Sequence, residues 1–396
     1  MRAFFFITVL FLFPAFSKGQ TIQLSPQSSI SLLTISPGKE LYSSFGHSTL
    51  LIEDYQNGIS VMYNYGSFDF ETENFYVKFL RGTLPYQLTK NGLNTALEYW
   101  TSEGRLVTKQ QLRLSLQDRQ KIYGLLEKNY LPENRTYQYK FFYDNCSTRI
   151  RDIIKEVLGD RLVFDQKLNA TATYRDWIQT YAGYKAIADF GMDIAIGIPS
   201  DQKTGYNGAM YIPDNMMSAF DSATVKTDST IRSFIMYKQA LNAYYVKETL
   251  KKKEINLPII LGGLLLLSSL IPFIRKEGIA VGPITTFNKV LFIIAGIAGL
   301  ILTLLWFFTD HGVTMYNLNI FWANPFYLLL FTIPKKFGKR AFLITGIISA
   351  STILIDILQI QDIPLAADFI ALALAARLFT IYKKYDGRTA IPNRAI

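Results

Sequence analysis

Cys146 is the only cysteine in 396 residues, and it stands in the stretch "YDNCSTRIRDIIKEVLGD". A thiol does nucleophilic chemistry only as the thiolate, so its surroundings decide whether it is reactive or merely packed. Downstream, Ile150, Ile153, Ile154, Val157 and Leu158 recur at helical spacing, and Gly159 marks the stop. This spacing places Cys146 in the first turn of a helix, behind the capping candidates Asp144 and Asn145. Unpaired backbone N–H groups and the positive end of the helix dipole favour a thiolate there. A thiol that only fills space needs no such position.

A thiolate nucleophile needs an imidazole partner, and the chain has two histidines. His311 falls in a loop between apolar runs. His47, in "SFGHSTLLIED", opens a strand. A lone histidine on a strand is commonly a core residue. The order is what singles His47 out: a histidine strand, a second strand, then a cysteine at a helix start. A further polar group should orient the imidazole. If Asn57-Gly58 is a two-residue hairpin turn, Gln56 pairs with Ile59 and His47 faces Phe68. Even-numbered positions of the second strand then share the His47 face, which selects Asn64 and leaves Asp69 in reserve. A one-residue slip would reverse that choice.

The elements around these residues divide the chain. Residues 1–19 carry Arg2, an apolar run and small residues at Ser17 and Gly19, the pattern of a cleaved export signal. Residues 20–250 read as a mixed α and β exported domain, with a helix starting at Ser115 and Asp118 in its first turn. Residues 251–388 hold five apolar runs, near 257–273, 290–308, 319–334, 341–359 and 363–382. They are expected to be five membrane spans, the first and third of them short. Residues 389–396 form a tail. The loops "IRKEG…NK", "KKFGKR" and "KKYDGR" are basic, whereas "DHGVTMYNLN" and "QIQD" lack Lys and Arg. The positive-inside rule therefore puts the C-terminus in the cytoplasm and residues 20–256 outside. The excess of 41 basic over 31 acidic residues fits a membrane partner, with "KETLKKKE" placed to hold anionic headgroups. No nucleic-acid module, phosphate loop or metal-ligand spacing is present, and no cofactor is expected.

The histidine-strand, cysteine-helix order is similar to circularly permuted papain-like (NlpC-type) thiol enzymes. More specifically, "SFGHSTLLI", "NYGSFDF", "PENRTYQYKFFYDNCSTRIRDII" and "DHGVTMYNLNIFWANP" resemble the Lnb-type lipoprotein N-acyltransferase family. The resemblance implies an α+β, permuted papain-like domain facing the periplasm, followed by a five-helix transmembrane domain in the inner membrane. It also implies transfer of an acyl chain from a phospholipid donor to the N-terminal amine of a diacylated lipoprotein. Cys146 would then be the nucleophile, His47 its proton relay and Asn64 the orienting group.

Rival readings remain at this point. One is a membrane-tethered thiol hydrolase, a cell-wall peptidase or a lipid hydrolase with water as acceptor. The other is a membrane scaffold without catalysis. Tyr137, Tyr139, Phe141 and Tyr143 alternate either as an acyl-chain groove or as an ordinary strand packed on a core, and the second is preferred. "YIPDNMMSAF" reads equally as an interfacial segment or a core contact. Asp310 and His311 in the outward loop, with Asp356 and Asp368 at span ends, are candidates for binding the acceptor amine or for capping helices. Arg377 is expected to snorkel toward the cytoplasmic side.

Overall fold

The hairpin that carries His47 begins the account of the fold. In a computed structural model, which describes residues 22–165, 171–226, 230–243, 254–274 and 286–384, strands β1 (Ser29–Ile35), β2 (His47–Asp54) and β3 (Ile59–Ser67) pair antiparallel in sequence order. They are joined by β4 (Pro85–Asn91), β5 (Val107–Leu112), β6 (Thr136–Gln138) and β10 (Ile235–Ala240) in a seven-stranded sheet ordered β10-β5-β1-β2-β3-β4-β6. A small second sheet holds β7 (Leu162–Val163), β8 (Thr224–Lys226) and β9 (Ile231–Ser233).

The helices of this part are α1 (Phe75–Arg81), α2 (Leu93–Ser102), α3 (Leu116–Tyr130), α4 (Cys146–Leu158), α5 (Tyr174–Ala182), α6 (Ala186–Ala195), α7 (Gly205–Ala209) and α8 (Pro213–Ser222). Side chains alternate across a strand, so the central strands feed two cores. Leu50, Ile52, Tyr63 and Tyr65 pack with Ile122, Leu126, Ile150 and Ile154 of α3 and α4. On the other face, Leu51 and Met62 pack with Trp100 of α2. Met216 and Phe220 of α8 lie wholly in the first core, so "YIPDNMMSAF" is a core segment and the interfacial alternative falls.

The apolar C-terminal part departs from the expected five helices. It contains α9 (Leu257–Ile274), α10 (Thr286–Phe307), α11 (Lys335–Ala350) running on through α12 (Thr352–Ile357), and α13 (Leu365–Lys384). Among the described residues, 286–307, 337–357 and 365–383 are long and apolar enough to cross a bilayer, and α9 is shorter. The third expected helix is instead two 3₁₀ turns, Leu318–Phe321 and Pro325–Leu328, laid along α10. The side chains of Asn317 and Asn324 accept from the N–H groups of Asn319 and Phe326, and Pro325 has no N–H to give an α-helix. Close packing accommodates the irregular segment: a Cβ on Gly299 would lie 2.0 Å from the Ala323 carbonyl oxygen.

Arg377 is also not a simple snorkelling residue, since its guanidinium donates to Ser268, Ser269 and Asn288 at 2.7–2.8 Å. The export signal, nearly all of "KETLKKKE", most of "IRKEG…NK" and "KKYDGR", and the tail 389–396 lie outside the described residues.

Candidate active site

The helix start that carries Cys146 is built by its neighbours. Asn145 is the N-cap: its side-chain oxygen accepts from the N–H groups of Ser147 and Thr148 at 2.9 Å, while Thr148 Oγ1 accepts from Asn145 N at 2.7 Å. This reciprocal box fixes the first turn. The Asn145 amide also donates to the carbonyls of Phe141 and Tyr211, anchoring the turn to the preceding loop and to the segment before α8. Asp144 has a different task, a two-pronged pair with Arg149 at 2.5 and 2.8 Å.

His47 is the first residue of β2, and Asn64 lies on β3 beside it. The His47 Nε2 to Asn64 Oδ1 distance is 2.6 Å. The turn that sets this register is not the expected two-residue one. Tyr55–Asn57 form a 3₁₀ turn, Gly58 follows at φ 66°, and Asp54 pairs with Ile59. Pairing therefore shifts by two positions from the sequence expectation, and a shift of two keeps every side chain on its face. Asp69 is exposed and accepts from the N–H of Glu71 within its own turn, away from this pair.

Gly66 brings the two halves together. It sits at φ 88° where β3 loses register between Asn64 and Ser67, and an added Cβ would lie 3.9 Å from Cys146 Cβ and 3.4 Å from the Tyr139 ring. Ser147 Oγ donates to Ser48 Oγ at 3.1 Å, tying the residue after the cysteine to the residue after the histidine. Burial pushes the Cys146 thiol up, yet the charge and hydrogen bond of His47, the Ser48 N–H and the Ser147 side chain outweigh it. The thiol is held below its usual range. Burial likewise pushes His47 down, but the facing Cys146 thiolate and the Asn64 hydrogen bond hold it above its usual value, with Arg105 opposing. Both shifts favour the charged form of the pair, thiolate with imidazolium, over the neutral one. Tyr139, shielded from water and next to that negative charge, is held well above its ordinary value and stays a neutral hydroxyl.

The remaining candidates separate into two places. Asp310 donates its backbone N–H to Arg81 O at 2.8 Å, and His311 Nε2 lies 3.0 Å from Leu80 O, so this loop is seated on the end of α1. Asp356 accepts from the Ile363 N–H, in the loop that leads into α13. Asp368 is buried in the first turn of α13, and Asp356 and Asp362 are its charged neighbours. Asp362 also feels the buried Arg175, which pairs with Asp193 and Asp201. The four residues therefore do not converge on one pocket. A cavity of about 840 Å³ opens instead between Gln138 and Lys140, on either side of Tyr139, and Trp306, Phe307, Asp310 and Tyr316 at the outer end of α10.

Two family profiles match the chain: the Lnb N-terminal periplasmic domain over residues 16–180, and the Lnb transmembrane domain over residues 252–387. The chain belongs to the Lnb-type lipoprotein N-acyltransferase family. No curated protein and no solved structure gave a significant match. The mixed α/β part is accordingly the Lnb periplasmic domain, the helical part the Lnb membrane domain, and an acyltransferase-like activity follows from the family. Ser48 and Ser147 escaped the sequence reading, although both were legible as the shared serine in "GHS" and "NCS". Tyr139 was preferred there as an ordinary strand residue, and its place beside Gly66 and Cys146 depends on a strand irregularity that no local pattern announces.

Proposed function

We propose that this protein moves an acyl chain from a membrane phospholipid, through a thioester on Cys146, to the N-terminal amine of a diacylated lipoprotein. The observation that carries the reading is the Cys146–His47–Asn64 line, in a domain whose residues Gln138 and Lys140 line a cavity shared with the outer end of α10. In this reading residues 20–250 form the periplasmic catalytic domain, of permuted papain-like type, residues 251–388 the membrane domain, and the host is the inner membrane.

The chemistry runs in two steps, which replaces slow direct aminolysis of an ester with two easier displacements. The Cys146 thiolate adds to the ester carbonyl carbon, and the Cys146 backbone N–H at the helix start faces the developing oxyanion. Collapse breaks the ester C–O bond. His47, as imidazolium, gives its proton to the departing lysophospholipid oxygen and becomes neutral. The neutral acceptor amine then adds to the thioester, His47 takes a proton from the nitrogen, and Cys146 leaves as thiolate. The amide is complete and the ion pair is restored. Asn64 holds the imidazole ring in place throughout.

The test is intact-protein mass measurement of purified protein in phospholipid bilayers without acceptor. One acyl addition, released by neutral hydroxylamine and absent in Cys146→Ser, is expected. Adding a diacylated lipopeptide should discharge it to the peptide amine. Turnover with no such adduct would rule out the covalent route, and release only as free fatty acid would favour the lipid hydrolase.

A further inference from the structure

Helix α1 and the turn before it present an apolar surface that is left open among the described residues. Tyr76 is 78% exposed and Phe70 70%, with Leu80, Val77 and Phe79 also open. A monomeric domain seldom leaves such a contiguous aromatic and aliphatic patch in water. Its position is fixed by bonds to the membrane domain: Asp310 N–H donates to Arg81 O, and His311 Nε2 contacts Leu80 O. Asp310 and His311 follow closely on the outer end of α10, a span of 22 residues. The patch is therefore held at the level where hydrocarbon meets water. Lys78 and Arg81 are the basic residues of the same helix, as an interfacial element on anionic lipid requires.

The underside of α1 is joined to the nucleophile by an unbroken line of rings. Phe79 stacks near Phe75 at 6.2 Å, Phe75 meets Phe68 at 5.9 Å, and Phe68 meets Tyr86 at 5.3 Å. Tyr86 stacks on Tyr139 at 4.6 Å, and Tyr139 is the ring beside Gly66 and Cys146. The end of α1 is also tied to a residue that lines the 840 Å³ cavity, since Gln138 Nε2 donates to Gly82 O at 2.8 Å. Rings of this kind offer an acyl chain an apolar surface to follow out of the bilayer without crossing water.

We propose that α1 with its preceding turn inserts into the outer leaflet, and that the ring line from Phe75 to Tyr139 guides the donor acyl chain to Cys146. This rests on the phospholipid-donor reading above. The occupant of the patch is the lipid surface itself, because the anchoring bonds run to the loop that directly follows a membrane span.

Two measurements test it on the full chain in proteoliposomes of zwitterionic and anionic phospholipid. In the first, Cys146→Ser removes the only thiol, so Val77→Cys or Gln117→Cys carries a single nitroxide. The Val77 label should collide more with oxygen than with a water-soluble nickel chelate, and the Gln117 label on α3 should do the reverse. Equal, water-like collision at both sites overturns the insertion.

In the second, Tyr76→Ser with Leu80→Ser, and separately Tyr86→Ala, are compared with the unmodified chain. Each is assayed for Cys146 acylation by bilayer phospholipid and by a short-chain water-soluble ester. The ratio of the lipid rate to the soluble-ester rate should fall by about tenfold or more in both variants, as expected for loss of apolar contact. An unchanged ratio overturns the guiding role. A chain that inserts α1 but never takes an acyl group from phospholipid would instead sink the donor reading and leave α1 as a membrane anchor.

Discussion

At the scale of single residues, the reactivity of the protein turns on which group offsets the burial of Cys146. Burial alone would raise the thiol, and the adjacent His47 is the largest opposing influence. Removing His47 leaves the burial and deletes its main counterweight. In His47→Ala the thiol should therefore titrate above the ordinary range of about 8.5, whereas in the native chain the thiolate persists below it. The rate of iodoacetamide alkylation against pH reads this directly. The native profile should stay high toward neutral pH, and the His47→Ala profile should rise only on the alkaline side. Coincident profiles would break the ion-pair assignment. Asn64 acts through His47 rather than on substrate. Asn64→Ala should lower acylation by up to about 10²-fold, within the span of general acid–base effects, and move the His47 limb of the pH profile downward. The hydrogen bond that His47 Nε2 donates to Asn64 Oδ1 is one of the influences that hold His47 up, which sets that sign. A loss of rate with an unmoved limb would make Asn64 a packing residue.

At the scale of elements, two local devices position these groups, and each has a measurable cost of removal. Asn145→Ala deletes the N-cap and leaves the carbonyls of Phe141 and Tyr211 without their amide donor. A cap of this kind contributes about 1–2 kcal/mol, so a clear fall in Tm is expected, together with slower thiol alkylation at neutral pH. Gly66→Ala should cost about 1–2 kcal/mol because a Cβ is disfavoured at its left-handed φ. Its second signature is displacement of Tyr139 or Cys146, read as altered thiol reactivity with little change in secondary structure. The elements also explain what the sequence could disclose. Helical periodicity after Cys146 was plain because Ile150, Ile153 and Ile154 face one core. The choice of Asn64 survived a misjudged turn because the register moved by an even number of residues. Residues 319–334 misled because hydropathy reports burial and not conformation. The Asn317, Asn324 and Pro325 turns that decide the conformation are local polar effects inside an apolar run.

At the scale of the whole molecule, the catalytic domain is seated on the membrane domain by a polar seam. Asn317 Nδ2 donates to Ile194 O at 2.8 Å, and Gly197 N–H to Val313 O at 2.9 Å. Gly197 has no room for a side chain, since its Cβ would lie 2.0 Å from Met315 O. This seam holds the 310–318 loop on the periplasmic side. Residues 335–340, "KKFGKR", carry the cytoplasmic charge signature. On the positive-inside reading, the segment between traverses the membrane without an α-helix. Irregular backbone is tolerated at that depth only where protein encloses it. That condition is met, for Trp322, Ala323, Tyr327 and Leu330 are buried against α10, with rings of Phe292 and Tyr327 stacked at 5.4 Å. Topology reporters fused at His311 and at Gly338 should therefore report opposite compartments, His311 with the periplasmic domain and Gly338 inside. Gly299→Leu should uncouple the two, because its side chain would be driven into the Ala323 carbonyl and expel the segment from its groove. Reporters that agree on one compartment in the native chain would turn residues 318–334 into a re-entrant loop and remove one crossing from the membrane domain.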